Sequence, residues 1–132
     1  MKTIGIGAFS QCKNLSSVTL PEGLESIDQR VFTSCKKLTE ITIPDSVKVI
    51  SDFSYSDCSS LTGIVIPDQV ESIGKQAFKS CTSLVSVIIP ESVASISKDA
   101  FKGCDKLTVT VKEGSYAETF CKENEIAYEY GN

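Results

Sequence analysis

Six cysteines are the side chains best equipped for chemistry in this 132-residue chain, and no histidine stands beside them. Without histidine, Ser/His/Asp and Cys/His nucleophile arrangements cannot be built. The commonest metal ligand and general base are missing with it. Cys12, Cys35, Cys58, Cys81 and Cys104 recur at a constant interval of 23 residues, each three after an aromatic and three before a leucine. That regularity marks one structural position written five times, not a disulfide framework. Stacked equivalents lie side by side on strands about 4.8 Å apart, whereas a disulfide needs Cβ atoms facing each other at about 3.8 Å. The spacing predicts a ladder of buried, reduced thiols. Such thiols say little about redox compartment, and no C-x-x-C pair points to zinc.

A second ladder, Glu22, Asp45, Asp68 and Glu91, repeats at the same interval. Two neighbours could share Ca²⁺, but hard cations want more oxygens than one per coil. The expectation is solvated turn residues and no metal. Ile4-Gly5-Ile6-Gly7 lacks the third glycine and the strand-to-helix setting of a phosphate loop. No catalytic constellation and no cofactor site emerge, so the chain reads as a non-enzyme.

The elements that position these residues are copies of one unit. Ile73 to Ser95 reads IGKQAFKSCTSLVSVIIPESVAS, and the chain divides as 4–26, 27–49, 50–72, 73–95 and 96–114, with a C-terminal cap over 115–132. Each unit opens on a residue suited to an N-cap, Gly5, Asp28, Ser51, Gly74 or Ser97. An aromatic follows (Phe9, Phe32, Tyr55, Phe78 or Phe101) and then the cysteine, which predicts a short helical turn. A turn that short must be held by burying this aromatic–cysteine face. One strand per unit comes next, as in Ile41-Thr42-Ile43 and Val87-Ile88-Ile89, its first and third residues inward and its middle one outward. Pro21, Pro44, Pro67 and Pro90 end the strands, where the missing N–H does no harm. A return turn leads to Ile27, Ile50, Ile73 or Ile96. The product is a stack of coils with a parallel sheet on the concave side and the helical turns on the convex side.

The pattern I-x-x-x-A-F-x-x-C-x-x-L-x-x-[VI]-x-[IL]-P-x-x-[VL], running from residue 4 to about 114, resembles the BspA-like leucine-rich repeats of bacterial and protist surface proteins. The resemblance implies an α/β repeat solenoid, a cell-surface or secreted location, and adhesion or recognition of a host, matrix or cell-surface protein. Proline with a carboxylate stands where ordinary leucine-rich repeats carry Asn or Cys, as in that subfamily.

The last unit deviates: Leu107-Thr108-Val109-Thr110-Val111 lacks the proline and its alternation slips by one residue. Ser115-Tyr116-Ala117-Glu118 is a capping-box pattern opening a helix to about Glu123, with Ala117, Phe120 and Cys121 as its apolar face. Ile126 to Tyr130 alternates like a final strand. A repeat stack must close its open end with an atypical unit. No counterpart precedes Ile4, so the first coil is expected either to join further repeats or to self-associate. Met1-Lys2-Thr3 runs straight into repeat sequence, with no signal peptide expected there.

Net charge is −4, Arg30 is the single arginine, and apolar and charged fractions are 41% and 23%. A soluble folded chain is expected. No run approaches the roughly 18 apolar residues of a membrane span. Lys36-Lys37, and Lys98, Lys102 and Lys106, read as solvated faces, so no nucleic-acid partner is expected. Asn14-Leu15-Ser16 fits a glycosylation acceptor, relevant only in a eukaryotic secretory setting.

Binding is the better prospect, because solenoids present extended concave faces. The outward strand positions are Thr19, Thr42, Val65 and Ile88, flanked by Ser17, Glu40, Gly63 and Ser86. This face lacks the Trp, Tyr and Arg that dominate hot spots. Val65 and Ile88 read either as an exposed apolar contact pair or as good strand formers. Phe53 stands where other units carry Gly7, Arg30, Gln76 and Asp99. It is either a partner contact or a residue exchanging roles with Tyr55, whose hydroxyl is awkward in a buried ladder. The chain thus reads as a non-enzymatic protein-binding module or as a structural spacer with no ligand of its own.

Overall fold

The computed structural model describes residues 4–131, so the reading of Met1–Thr3 lies outside the described residues. In chain order the elements are β1 (Ser26–Ile27), β2 (Val49–Ile50), β3 (Gly63–Val65), β4 (Ser72–Ile73), β5 (Ser86–Ile88), β6 (Ser95–Ile96), β7 (Thr108–Val111), α1 (Tyr116–Glu123) and β8 (Ala127–Tyr130). The chain winds as a leucine-rich-repeat solenoid, one coil per repeat. Ile27, Phe32, Cys35, Leu38, Ile43 and Val47 of one coil are buried, and so are Ile50, Tyr55, Cys58, Leu61, Ile66 and Val70 of the next. A repeating unit too small to bury its own apolar face buries it against its neighbours.

Two parallel sheets run along the stack. One is β3–β5–β7–β8, continued by a single bridge between Thr19 and Thr42. The other is β1–β2–β4–β6, in register as Ile27↔Ile50, Ile50↔Ile73 and Ile73↔Ile96. The expectation of one strand per repeat is therefore corrected to two. The second segment is only two residues long, too short to show a period in sequence. Its isoleucines are buried, and buried backbone N–H and C=O groups must find partners, which the next coil supplies.

The convex segments also differ from the expectation of helical turns. They are successive turns closed by bonds three residues apart, such as Val31 N to Asp28 O, Thr33 N to Arg30 O and Cys35 N to Phe32 O. Between them stand left-handed residues: Arg30 (φ 59°), Ser34 (φ 60°), Phe53 (φ 61°), Asp57 (φ 63°), Gln76 (φ 51°) and Ser80 (φ 60°). All of these but Gln76 swing the N–H out of the coil and onto the next one. Arg30 donates to Asp52 O, Ser34 to Ser56 O, Phe53 to Lys75 O and Asp57 to Lys79 O. A helix would have kept those N–H groups to itself. The inter-coil bonds offset the roughly 1–2 kcal/mol that a left-handed L-residue costs.

Inside the convex wall runs a spine. Phe9, Phe32, Tyr55, Phe78 and Phe101 stack with ring centroids 5.2 to 5.5 Å apart and planes within 12°. A coil spacing near 4.8 Å keeps the rings offset rather than face to face, the arrangement their quadrupoles favour. Beside it, Cys35, Cys58, Cys81 and Cys104 donate their thiols to the carbonyls of Phe9, Phe32, Tyr55 and Phe78 at 3.0 to 3.1 Å.

The last repeat's slip is absorbed by pairing Val109 with Val87 and Thr110 with Ile88, which keeps Val109 and Val111 buried. Helix α1 closes the stack. Ser115 is its N-cap and accepts from Glu118 N, while the Glu118 carboxylate reaches back to Gly114 N at 2.8 Å. Ala117, Phe120 and Cys121 are buried, and Phe120 meets Phe101 edge-on at 6.5 Å. At the other end Phe9, Cys12, Leu15 and Val18 are only partly buried. Ile4, Phe9, Val18 and Leu20 there border a shallow apolar concavity of about 330 Å³.

Candidate binding face

The concave face is built by the alternation within β3, β5 and β7. Ile64, Val87 and Val109 turn inward and are buried, so the residues between them must face outward. Val65 pairs with Ile88, and Ile88 with Thr110. Val65 is 59% exposed and Ile88 42% exposed, so both lie open to solvent on a sheet whose other face is packed. Gly63 sits opposite Ser86 and leaves a depression between its taller neighbours.

Ser17, Thr19, Glu40, Thr42, Val65, Ser86 and Ile88 come together around one shallow concavity of about 660 Å³, which also takes in Asp45 and Pro67. A second concavity, of about 550 Å³, shares Val65 and Ile88 and extends over Asp68, Glu91, Thr110, Lys112 and Gly131. The carboxylates that repeat after the prolines are exposed, and Asp45, Asp68 and Glu91 border this face. Sequence reasoning treated them apart from the strand residues, because it could not show which way the chain turns after each proline. Thr110 was missed because the shortened last repeat shifts it into line with Ile88. Glu91 and Lys112 form an ion pair at 3.1 Å with both side chains more than half exposed, a geometry worth little to stability. Among the described residues, no group of three or more His, Cys, Asp or Glu side chains is placed to hold a metal ion.

Phe53 does not join this face. It is half-buried on the turn wall, and the Arg30 guanidinium carbon lies 4.5 Å from its ring centroid. The exchange with Tyr55 does not occur: Tyr55 is fully buried within the spine. Its hydroxyl and that of the neighbouring Ser54 are buried without a hydrogen-bond partner among the described residues. Phe53 and Arg30 hold the same column of adjacent coils, both with left-handed backbone, so ring and guanidinium lie side by side on the turn wall.

The thiols are unpaired, and burial opposes ionisation of Cys35, Cys58, Cys81 and Cys121, whereas the neighbouring Cys81 lowers Cys104. Burial pushes Cys58 up to about 12 and Cys121 up to about 11. The neighbouring Cys104 thiol, and burial, raise Cys81 as well. A thiol that does not ionise near neutral pH is a poor nucleophile and metal ligand. Asn14 of the acceptor triplet is exposed.

The BspA type leucine rich repeat region model matches residues 1–111 in six copies. A leucine-rich repeat protein of T. pallidum is 38% identical, with 82% of this chain and 51% of that one covered and a TM-score of 0.80. One from Bacteroides ovatus is 27% identical over 99% of this chain and 40% of that one, with a TM-score of 0.77. A leucine rich cell surface protein from Faecalibacterium prausnitzii is 30% identical over 99% of this chain and 34% of that one, with a TM-score of 0.82. The chain therefore spans about half or less of the length of these proteins. No curated protein matches it significantly. With the repeat pattern, the two-sheet solenoid and the family match in agreement, the chain belongs to the BspA-type leucine-rich repeat family.

Proposed function

We propose that the chain is a non-enzymatic protein-binding module of a cell-surface or secreted protein, acting in adhesion or recognition through its concave face. The observation that carries this is the in-register pair Val65 and Ile88, exposed on a sheet whose other side is packed. Exposed apolar area ringed by polar residues is characteristic of interaction sites. The likeness to a leucine rich cell surface protein supports the location. No nucleophile–base pair or cofactor is part of this reading, and burial raises the Cys58 and Cys121 thiols. With no Trp, Tyr or Arg on the face, the expected affinity is modest.

A spacer is the second reading, favoured by the strict register and the small side chains of Ser17, Thr19, Thr42 and Ser86. The partly buried first coil makes self-association a further expectation, read out by sedimentation of the isolated chain. The discriminating experiment is a binding screen of the chain against extracellular-matrix proteins, repeated with Glu40→Ala and Ile88→Lys. A module binds at least one of them and loses it with Ile88→Lys. Failure to bind any of them would favour the spacer.

A further inference from the structure

The apolar pair on the concave face has an electrostatic frame. Val65 and Ile88 border both concavities. One concavity carries Glu40 and Asp45, and the other carries Asp68 and Glu91. Among the described residues that line them Lys112 is the one cation, and Glu91 already engages it at 3.1 Å. Asp45 and Asp68 are exposed and form no ion pair among the described residues.

We propose that this face receives a cationic–apolar stretch of polypeptide, in which lysine or arginine side chains meet the flanking carboxylates while small or β-branched apolar ones cover Val65 and Ile88. The inference rests on the concave-face reading and names its partner's chemistry. Charge complementarity selects this occupant. An acidic segment or a nucleic acid meets like charge along both concavities, which costs affinity and slows association. A neutral apolar segment leaves carboxylates desolvated and unpaired, which is expensive. A second copy of this chain docking through the same face would set one acidic face against another. A bare hard cation finds one carboxylate per coil, too few oxygens for its shell. Rim charges act chiefly on partner choice and association rate, so recognition should weaken as salt screens beyond about 8–10 Å.

The test uses the intact chain and three fluorescent octapeptides, alternating lysine–valine, glutamate–valine and lysine–serine, titrated by anisotropy. Lysine–valine should bind about tenfold or more tighter than either other peptide, because each lacks one half of the complementarity. Asp45→Lys combined with Asp68→Lys should weaken lysine–valine about tenfold and shift the preference toward glutamate–valine. Both positions are exposed turn residues, and an unchanged circular dichroism spectrum establishes that the variant is folded. Equal affinity for lysine–valine and glutamate–valine, no response to the charge reversal, or no binding of lysine–valine would each overturn the proposal. The matrix screen separates the two readings. A matrix protein lost with Ile88→Lys but indifferent to the Asp45→Lys/Asp68→Lys pair leaves the concave-face reading standing and sinks this one.

Discussion

The spine of stacked rings and thiols and the concave face are built from the same repeats, yet they obey opposite rules. In the spine every copy supplies an aromatic and a cysteine, and the central ones are wholly buried. On the concave face the equivalent positions change from threonine to valine to isoleucine, and they stand open to solvent. What must recur is whatever fits a neighbour 4.8 Å away, because each coil is the next coil's packing surface. What is free to vary is whatever touches only water, and only there can a partner be chosen. The comparison divides the molecule into a part that holds it together and a part that can recognise something.

The largest effect expected from breaking the spine is Phe78→Ala. Truncating a fully buried ring stacked on both sides should cost about 3–5 kcal/mol in urea denaturation, and Phe9→Ala, in the partly buried first coil, should cost markedly less. Equal losses would mean that the spine is not a cooperative stack. The thiol half of the spine should show in alkali. The folded Cys58 thiol ionises only near about 12, against about 8.5 for an ordinary thiol. Its contribution is therefore full below the unfolded value and is lost as pH rises from there toward about 12. Denaturation midpoints of the wild type should fall more steeply over that window than those of Cys58→Ala.

Much of this division is legible in the sequence. Inward and outward positions follow from alternation, which is local, and the 23-residue period forces each residue type into its column. The turn wall was not legible. An aromatic and a cysteine three residues apart share a helical face as readily as they share a chained turn. The left-handed positions that decide between the two are filled by Arg30, Ser34, Phe53, Asp57, Gln76 and Ser80. The available signal was Gly7 (φ 69°) and Gly103 (φ 84°), glycines at the same two columns. The contact of Phe53 with Arg30 was within reach of the sequence, since the two lie one 23-residue period apart in the same column. The concave strand residues were legible, but their adjacency to the acidic ladder required the path of the chain after each proline.

Smaller effects sharpen the contrast at its irregular points. Tyr55 carries a buried hydroxyl without a partner, a defect within an otherwise apolar column. Tyr55→Phe should therefore stabilise the chain by about 1 kcal/mol, and a loss of stability in thermal melts would show that the hydroxyl is satisfied. In the cap, the hydrogen bond from Tyr130, followed by that from Gly114 N, holds the Glu118 carboxyl below its ordinary value. That contribution is present above the unfolded value of about 4.3 and is lost as pH falls through the lower folded one. The wild type should lose melting temperature through that acidic range, and Glu118→Gln should lose less.

The smallest effect belongs to the concave face, and it gives the most direct test of the division. Urea denaturation of Val65→Ser/Ile88→Ser should leave stability within about 1 kcal/mol of the wild type, as expected for two solvent-facing changes, while Phe78→Ala measured alongside loses several times more. Comparable losses in the two proteins would show that the concave residues are packing after all, and would contradict the assignment of that face to recognition.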